Sequence, residues 1–77
     1  MIEKMIKLGT VENVKNFVNE ITKVDADVDI ASGRYIIDAK SIMGLYSLDL
    51  SKSVKLIAHS EDEATLKKIE EICAQFQ

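Results

Sequence analysis

The chain holds one histidine and one cysteine, so phosphoryl-accepting, nucleophilic and metal-binding chemistry has few places to reside. His59 offers an imidazole nitrogen, but no arginine or glycine-rich segment stands beside it to hold an anion, and a plain surface role is expected. Cys73 falls on an apolar stripe at helical spacing, which points to burial rather than to a reactive thiolate. Asp25, Asp27 and Asp29 alternate with apolar residues. An extended backbone spreads such carboxylates along one face instead of converging them on a cation, so no metal site is assigned. Thr10 and Ser41 each stand just before a helical pattern, where a hydroxyl accepts a backbone N–H bond as a helix N-cap. No catalytic residue and no cofactor follow from these side chains.

The elements that must position them fit one domain, residues 1–77. Seventy-seven residues lie near the lower limit for a core that needs no disulfide or metal staple. With 47% hydrophobic residues, 30% charged residues and no proline, the composition is that of a folded domain rather than a disordered tail. The net charge is −3 and the basic residues are scattered, which excludes the clustered cationic footprint of direct nucleic-acid binding. A lone cysteine, short apolar runs and the lack of a secretory pattern lead to the expectation of a cytoplasmic protein without membrane insertion.

Met1 to Leu8 reads as a strand with Ile2, Ile6 and Leu8 on one face and Lys4 between them, and Gly9 breaks it. After the Thr10 cap, Val11, Val14, Phe17, Val18 and Ile21 recur at helical spacing through Lys23. From Val24 to Ile30 apolar residues alternate with the aspartates, giving a second strand. A turn at Ser32-Gly33 returns the chain as a third, Arg34 to Ala39. A short helix should start at or just after Ser41, weakened by Gly44. Val54, Leu56 and Ala58 alternate in a fourth, central strand. Ser60-Glu61-Asp62-Glu63 forms a capping box for a last helix with Leu66, Ile69, Ile72, Cys73 and Phe76 on its apolar stripe. This βαββαβα order predicts an α+β fold, a four-stranded antiparallel sheet with three helices on one face.

The segment Lys40-Ser41-Ile42-Met43-Gly44 resembles the Lys-Ser-Ile-Met-Gly of Gram-positive members of the HPr family, the phosphocarriers of the bacterial sugar phosphotransferase system. Ser47-Leu48 and Glu61-Asp62-Glu63 are similar to further family segments, and the likeness covers about two thirds of the chain, from Val24 onward. It implies the HPr open-faced sandwich. It also implies chemistry that this chain does not carry over. Family members accept a phosphoryl group from enzyme I on a histidine at the start of their first helix, with an arginine to hold the phosphate. In the alignment Thr10 falls at the histidine, Glu12 at the arginine and Asn13 at a proline. Glu12 would repel a phosphate.

The resemblance further implies that Ser41 is a regulatory phosphorylation site, read by an HPr kinase, and that Ile42, Met43, Leu45 and Tyr46 form a partner-docking surface. Met43 and Tyr46 are the expected exposed pair. Phosphate at a helix start meets backbone amides and a favourable dipole, and its charge beside an apolar patch changes the choice of partner. The expected function is therefore a non-catalytic docking module of sugar uptake or carbon regulation. Its partners would be proteins of the phosphotransferase system or a catabolite-control transcription factor, not nucleic acid or membrane. Alternatives are a phosphocarrier using Thr10 or His59, and a structural or oligomeric module joined through Met43 and Tyr46.

Overall fold

Apolar alternation and helical periodicity place every element of this chain, and the computed structural model describes all of residues 1–77. The order is β1 (Ile2–Ile6), α1 (Val11–Ile21), β2 (Asp27–Ser32), β3 (Tyr35–Asp38), α2 (Ile42–Tyr46), β4 (Val54–His59) and α3 (Glu63–Ala74). The strands form one antiparallel sheet in the order β1-β4-β2-β3, so β4 is central, as its two-sided pattern predicts.

Register explains the core. Ala58 pairs with Ile2 and Val28, Leu56 with Lys4 and Ile30, and Val54 with Ile6, so these residues share the face that the helices cover. Lys4 lies on that face at the sheet edge and reaches out to Glu70 of α3 at 4.0 Å. From α1 come Val14, Phe17 and Ile21, from α2 Leu45, and from α3 Ile69, Ile72 and Cys73. The 17 buried residues are all apolar, so the core contains no polar side chain that needs a partner. Phe17 and Phe76 meet edge to face, 5.6 Å between centroids and 88° between planes, which ties α1 to the end of α3.

Some boundaries differ from the sequence reading. β2 begins at Asp27, not Val24, because the chain leaves α1 through tight turns, Lys23 N–H to Glu20 C=O and Val24 N–H to Ile21 C=O. Val24 is buried from that turn, and its carbonyl accepts a bond of 2.9 Å from Lys40 Nζ. β1 stops at Ile6, although Leu8 is still buried. Val11 is 58% exposed, outside the stripe of its helix. The cap of α3 is Asp62 rather than Ser60. Asp62 Oδ2 accepts from Thr65 N at 3.0 Å and Thr65 Oγ1 at 2.6 Å, while Ser60 Oγ accepts from Asp62 N at 3.1 Å. A carboxylate two residues further on makes the capping bond and adds a negative charge at the positive end of the helix dipole.

Those bonds from Thr65 hold the Asp62 carboxyl below its ordinary pKa, chiefly through the Thr65 hydroxyl. Asp62 therefore binds fewer protons folded than unfolded. Its contribution is complete above the unfolded value and is lost as pH falls through the folded one. Melting temperature followed between about pH 5 and pH 2 should fall less steeply in Asp62→Asn, which caps but does not titrate. Parallel profiles for the two proteins would exclude this role.

Candidate functional site

Two helix starts carry the hydroxyls singled out by sequence. Thr10 caps α1 with extended backbone, φ −136° and ψ 161°, and its Oγ1 accepts from Asn13 N at 3.1 Å. Asn13 Nδ2 donates back to Leu8 C=O at 2.7 Å, and Gly9, at φ 82°, donates its N–H to Leu50 C=O at 2.9 Å. The segment where a phosphocarrier holds its reactive loop is thus a short connection closed by three hydrogen bonds. Glu12 is exposed in the first turn of α1, adding a negative charge where a phosphate would have to sit.

The second start is α2. Ser41 is exposed, its Oγ accepts from Gly44 N at 3.3 Å, and its N–H is held by Asp38 C=O at 2.9 Å. Met43 is 74% exposed, whereas Ile42 and Tyr46 are partly buried against the core. Leu45 is fully buried, so it is removed from the expected docking surface. In a single short turn of helix one side chain must anchor the element, and Leu45 does so. Tyr46 is less available than expected for the same reason. A shallow groove of about 480 Å³ runs between α1 and α2, lined by Lys15, Asn16, Asn19, Lys23 and Ile42 among others. The sequence reading missed these lysines as neighbours of α2, because only the packing of α1 on α2 brings them there.

Gly44 also has a meaning that propensity alone hides. A Cβ at this position would fall 2.7 Å from Cγ2 of Ile37 and 3.1 Å from Oγ of Ser41. Glycine lets α2 lie against β3 and keeps space around the Ser41 hydroxyl. In Gly44→Ala the overpacking cost, about 1–3 kcal/mol, exceeds the helix-propensity gain of about 1 kcal/mol, since β-branched Ile37 has little freedom to turn away. A lowered urea midpoint is the expected result. An unchanged or raised midpoint would mean that the contact relaxes freely.

The other candidates lie elsewhere. His59 ends β4 on the uncovered face of the sheet, its Nε2 2.9 Å from Asp29 Oδ2. Thr10 follows the opposite end of β1, so roughly 17 Å of strand separates the two. They form no joint site. Asp27 and Asp29 sit on that same uncovered face, Asp25 lies outside β2, and no group of three His, Cys, Asp or Glu side chains is placed to hold a metal ion. Cys73 is buried, and burial is the main cause pushing its thiol up from the ordinary value. Asp49 was not singled out by sequence. Its Oδ1 accepts from Ser51 Oγ at 2.6 Å and Ser51 N at 3.1 Å, bonds that lower its carboxyl and shape the loop whose Leu50 carbonyl meets Gly9. An Asp two residues before a Ser was the available signal.

An antiparallel β1-β4-β2-β3 sheet covered on one face by three helices, with a serine capping the middle one, defines an open-faced sandwich of the phosphotransferase-system type. The family model described as the PTS HPr component phosphorylation site matches residues 12–76. The chain belongs to the HPr family. Among solved structures it is similar to HPr-C-His from Thermoanaerobacter tengcongensis, at 25% identity over 97% of this chain and 93% of that one, with a TM-score of 0.76. It is also similar to Crh, the catabolite repression protein of Bacillus subtilis. Identity there is 32% over 97% of this chain and 88% of the other, with a TM-score of 0.67, and that crystal structure is described as an intertwined, domain-swapped dimer. The phosphocarrier HPr of Bacillus anthracis strain Ames shares the fold at 23% identity, over 99% of this chain and 96% of the other, with a TM-score of 0.78. No curated protein matches the chain.

Proposed function

We propose that this chain is a non-catalytic docking module of carbon regulation, switched by phosphorylation of Ser41 and without a phosphohistidine. The observation that carries this reading is the exposed Ser41 at the start of α2, two residues from the largely exposed side chain of Met43. Phosphorylation would add about two negative charges beside Met43 and Ile42, on a helix that borders the groove of Lys15 and Lys23. A face that is apolar before modification becomes one that favours cationic partner surfaces after it. The likeness to the Bacillus subtilis catabolite repression protein supports the same class of role. The partners are then an HPr kinase and a transcription factor or phosphotransferase enzyme that distinguishes the two forms. At the other helix start, Thr10 serves as a cap and Glu12 disfavours phosphate, so phosphotransfer from enzyme I is not expected.

Intact-mass spectrometry tests this directly. Incubation with ATP and an HPr kinase should add one phosphate, lost in Ser41→Ala, while phosphoenolpyruvate with enzyme I should add none; an ordinary HPr must respond in both mixtures. An acid-labile phosphate from the second mixture would instead establish a carrier with an unusual acceptor. A second reading, an oligomeric module, is favoured by the position of β1, which pairs only with β4 and ends near the left-handed Gly9. Such an edge strand is the kind of element exchanged in swapped dimers.

A further inference from the structure

We propose that Asp38 is the residue that positions Ser41 for phosphorylation, through the turn joining β3 to α2, an inference that rests on Ser41 being the modified residue.

The helix side does little to fix the Ser41 hydroxyl. α2 has only five residues, and the capping bond from Gly44 N to Ser41 Oγ is long at 3.3 Å. The strand side is better fastened. Asp38 C=O accepts from Ser41 N at 2.9 Å and Asp38 Oδ1 accepts from Lys40 N at 2.9 Å. Residues 38–41 therefore form a β-turn in which the Asp38 carboxylate bonds the backbone two residues on, the position at which such a side chain stabilises a turn. Ala39 inside the turn is fully buried, and its N–H meets Val28 C=O of β2 at 2.9 Å. Lys40 Nζ is drawn off to Val24 C=O at 2.9 Å, which staples the turn to the end of α1.

The Asp38 carboxylate has a distinct part in this arrangement. It holds the peptide between Ala39 and Lys40 in one orientation, and the next peptide carries Ser41. Without it the turn keeps a single internal bond, Ser41 N to Asp38 C=O. Phosphorylation depends on that order. Ser41 Oγ forms a bond to the γ-phosphorus of ATP, the bond from that phosphorus to the β-γ bridging oxygen breaks, ADP leaves, and the hydroxyl proton passes to a base of the kinase. The attacking oxygen must stand about 3–3.5 Å from phosphorus and in line with the leaving oxygen. A turn set before the kinase arrives supplies this alignment in advance. Ile42 and Met43 lie beyond the turn and stay available for docking, so a disordered turn lowers kcat rather than raising KM.

Initial rates of an HPr kinase at saturating ATP, measured against the concentration of the intact chain, test the proposal, with circular dichroism confirming that each variant is folded. Asp38→Ala should lower kcat about tenfold and leave KM within about twofold of the parent. Asp38→Asn and Asp38→Ser, whose side-chain oxygens accept the same bond, should restore kcat to within about twofold. Asp27→Ala removes a carboxylate from the same shallow hollow of the sheet without touching the turn, and should match the parent. Parent-like kcat in Asp38→Ala would overturn the proposal, as would a change confined to KM, the mark of direct contact with the kinase. Asn and Ser variants as slow as Ala, or an equal loss in Asp27→Ala, would trace the effect to charge and overturn it too. A parent chain that takes no phosphate from the kinase would overturn the reading of Ser41 itself, and this proposal with it.

Discussion

Phe17→Ala is expected to remove about 3–5 kcal/mol of folding free energy, a large share of the roughly 4–12 kcal/mol that a domain of this length possesses. Phe17 is fully buried and makes the edge-to-face contact with Phe76, so its loss opens a cavity between α1 and the end of α3 that neither element can close. Thr10 and Asn13 are positioned by the same helix, so the hydrogen-bonded connection at Gly9 should loosen with it. Urea unfolding monitored by circular dichroism reads the effect. A midpoint close to that of the parent would mean that Phe76 collapses into the space.

The second large effect separates holding α2 in place from presenting its surface. Leu45→Ala should cost about 2–5 kcal/mol, since the residue is fully buried and is the only one that α2 commits wholly to the core. Met43→Ala, at a side chain 74% exposed, should leave the urea midpoint within about 0.5 kcal/mol of the parent. The paired measurement tests the proposed switch: phosphorylation of Ser41 by an HPr kinase and capture of the modified chain by a catabolite-control transcription factor. Met43→Ala should weaken capture while the domain stays folded, and Leu45→Ala should impair both through unfolding. A loss of stability in Met43→Ala would remove the distinction between anchor and contact residue.

The architecture was legible because each element repeats its pattern without a conflict. Val54-Lys55-Leu56-Ile57-Ala58 alternates, and Val14, Phe17 and Ile21 recur at helical spacing, so strand and helix periods identify themselves. Boundaries were less legible where two residues compete for one role. Ser60 and Asp62 both qualify as caps, and only the geometry of Thr65 decides between them. Val24 fits the strand period, yet it is buried from a turn that Lys40 closes from sixteen residues away. At the candidate site, Ser41 and Thr10 could be read as caps because capping depends on neighbours in sequence. Which residue of α2 turns inward could not be read. Five residues give barely more than one turn, so the choice between Leu45 and Tyr46 is made by β3 and α1, and the reason for Gly44 is the approach of Ile37.

The central place of β4 has a consequence for how the domain comes to exist. Both β1 and β2 pair with β4, and β1 does so across some fifty intervening residues. On a growing polypeptide the β2-β3 hairpin and the α1 turns are local and can flicker into shape early, but the β2 edge of the hairpin cannot be extended towards β1 until Val54–His59 has been made. Loop closure of that length is slow, so β1 is the last strand to settle and the nascent domain waits, part-assembled, with its hydrophobic face uncovered. Until β4 has been made β1 has no strand to pair with, so translation itself sets the earliest moment at which the sheet can close.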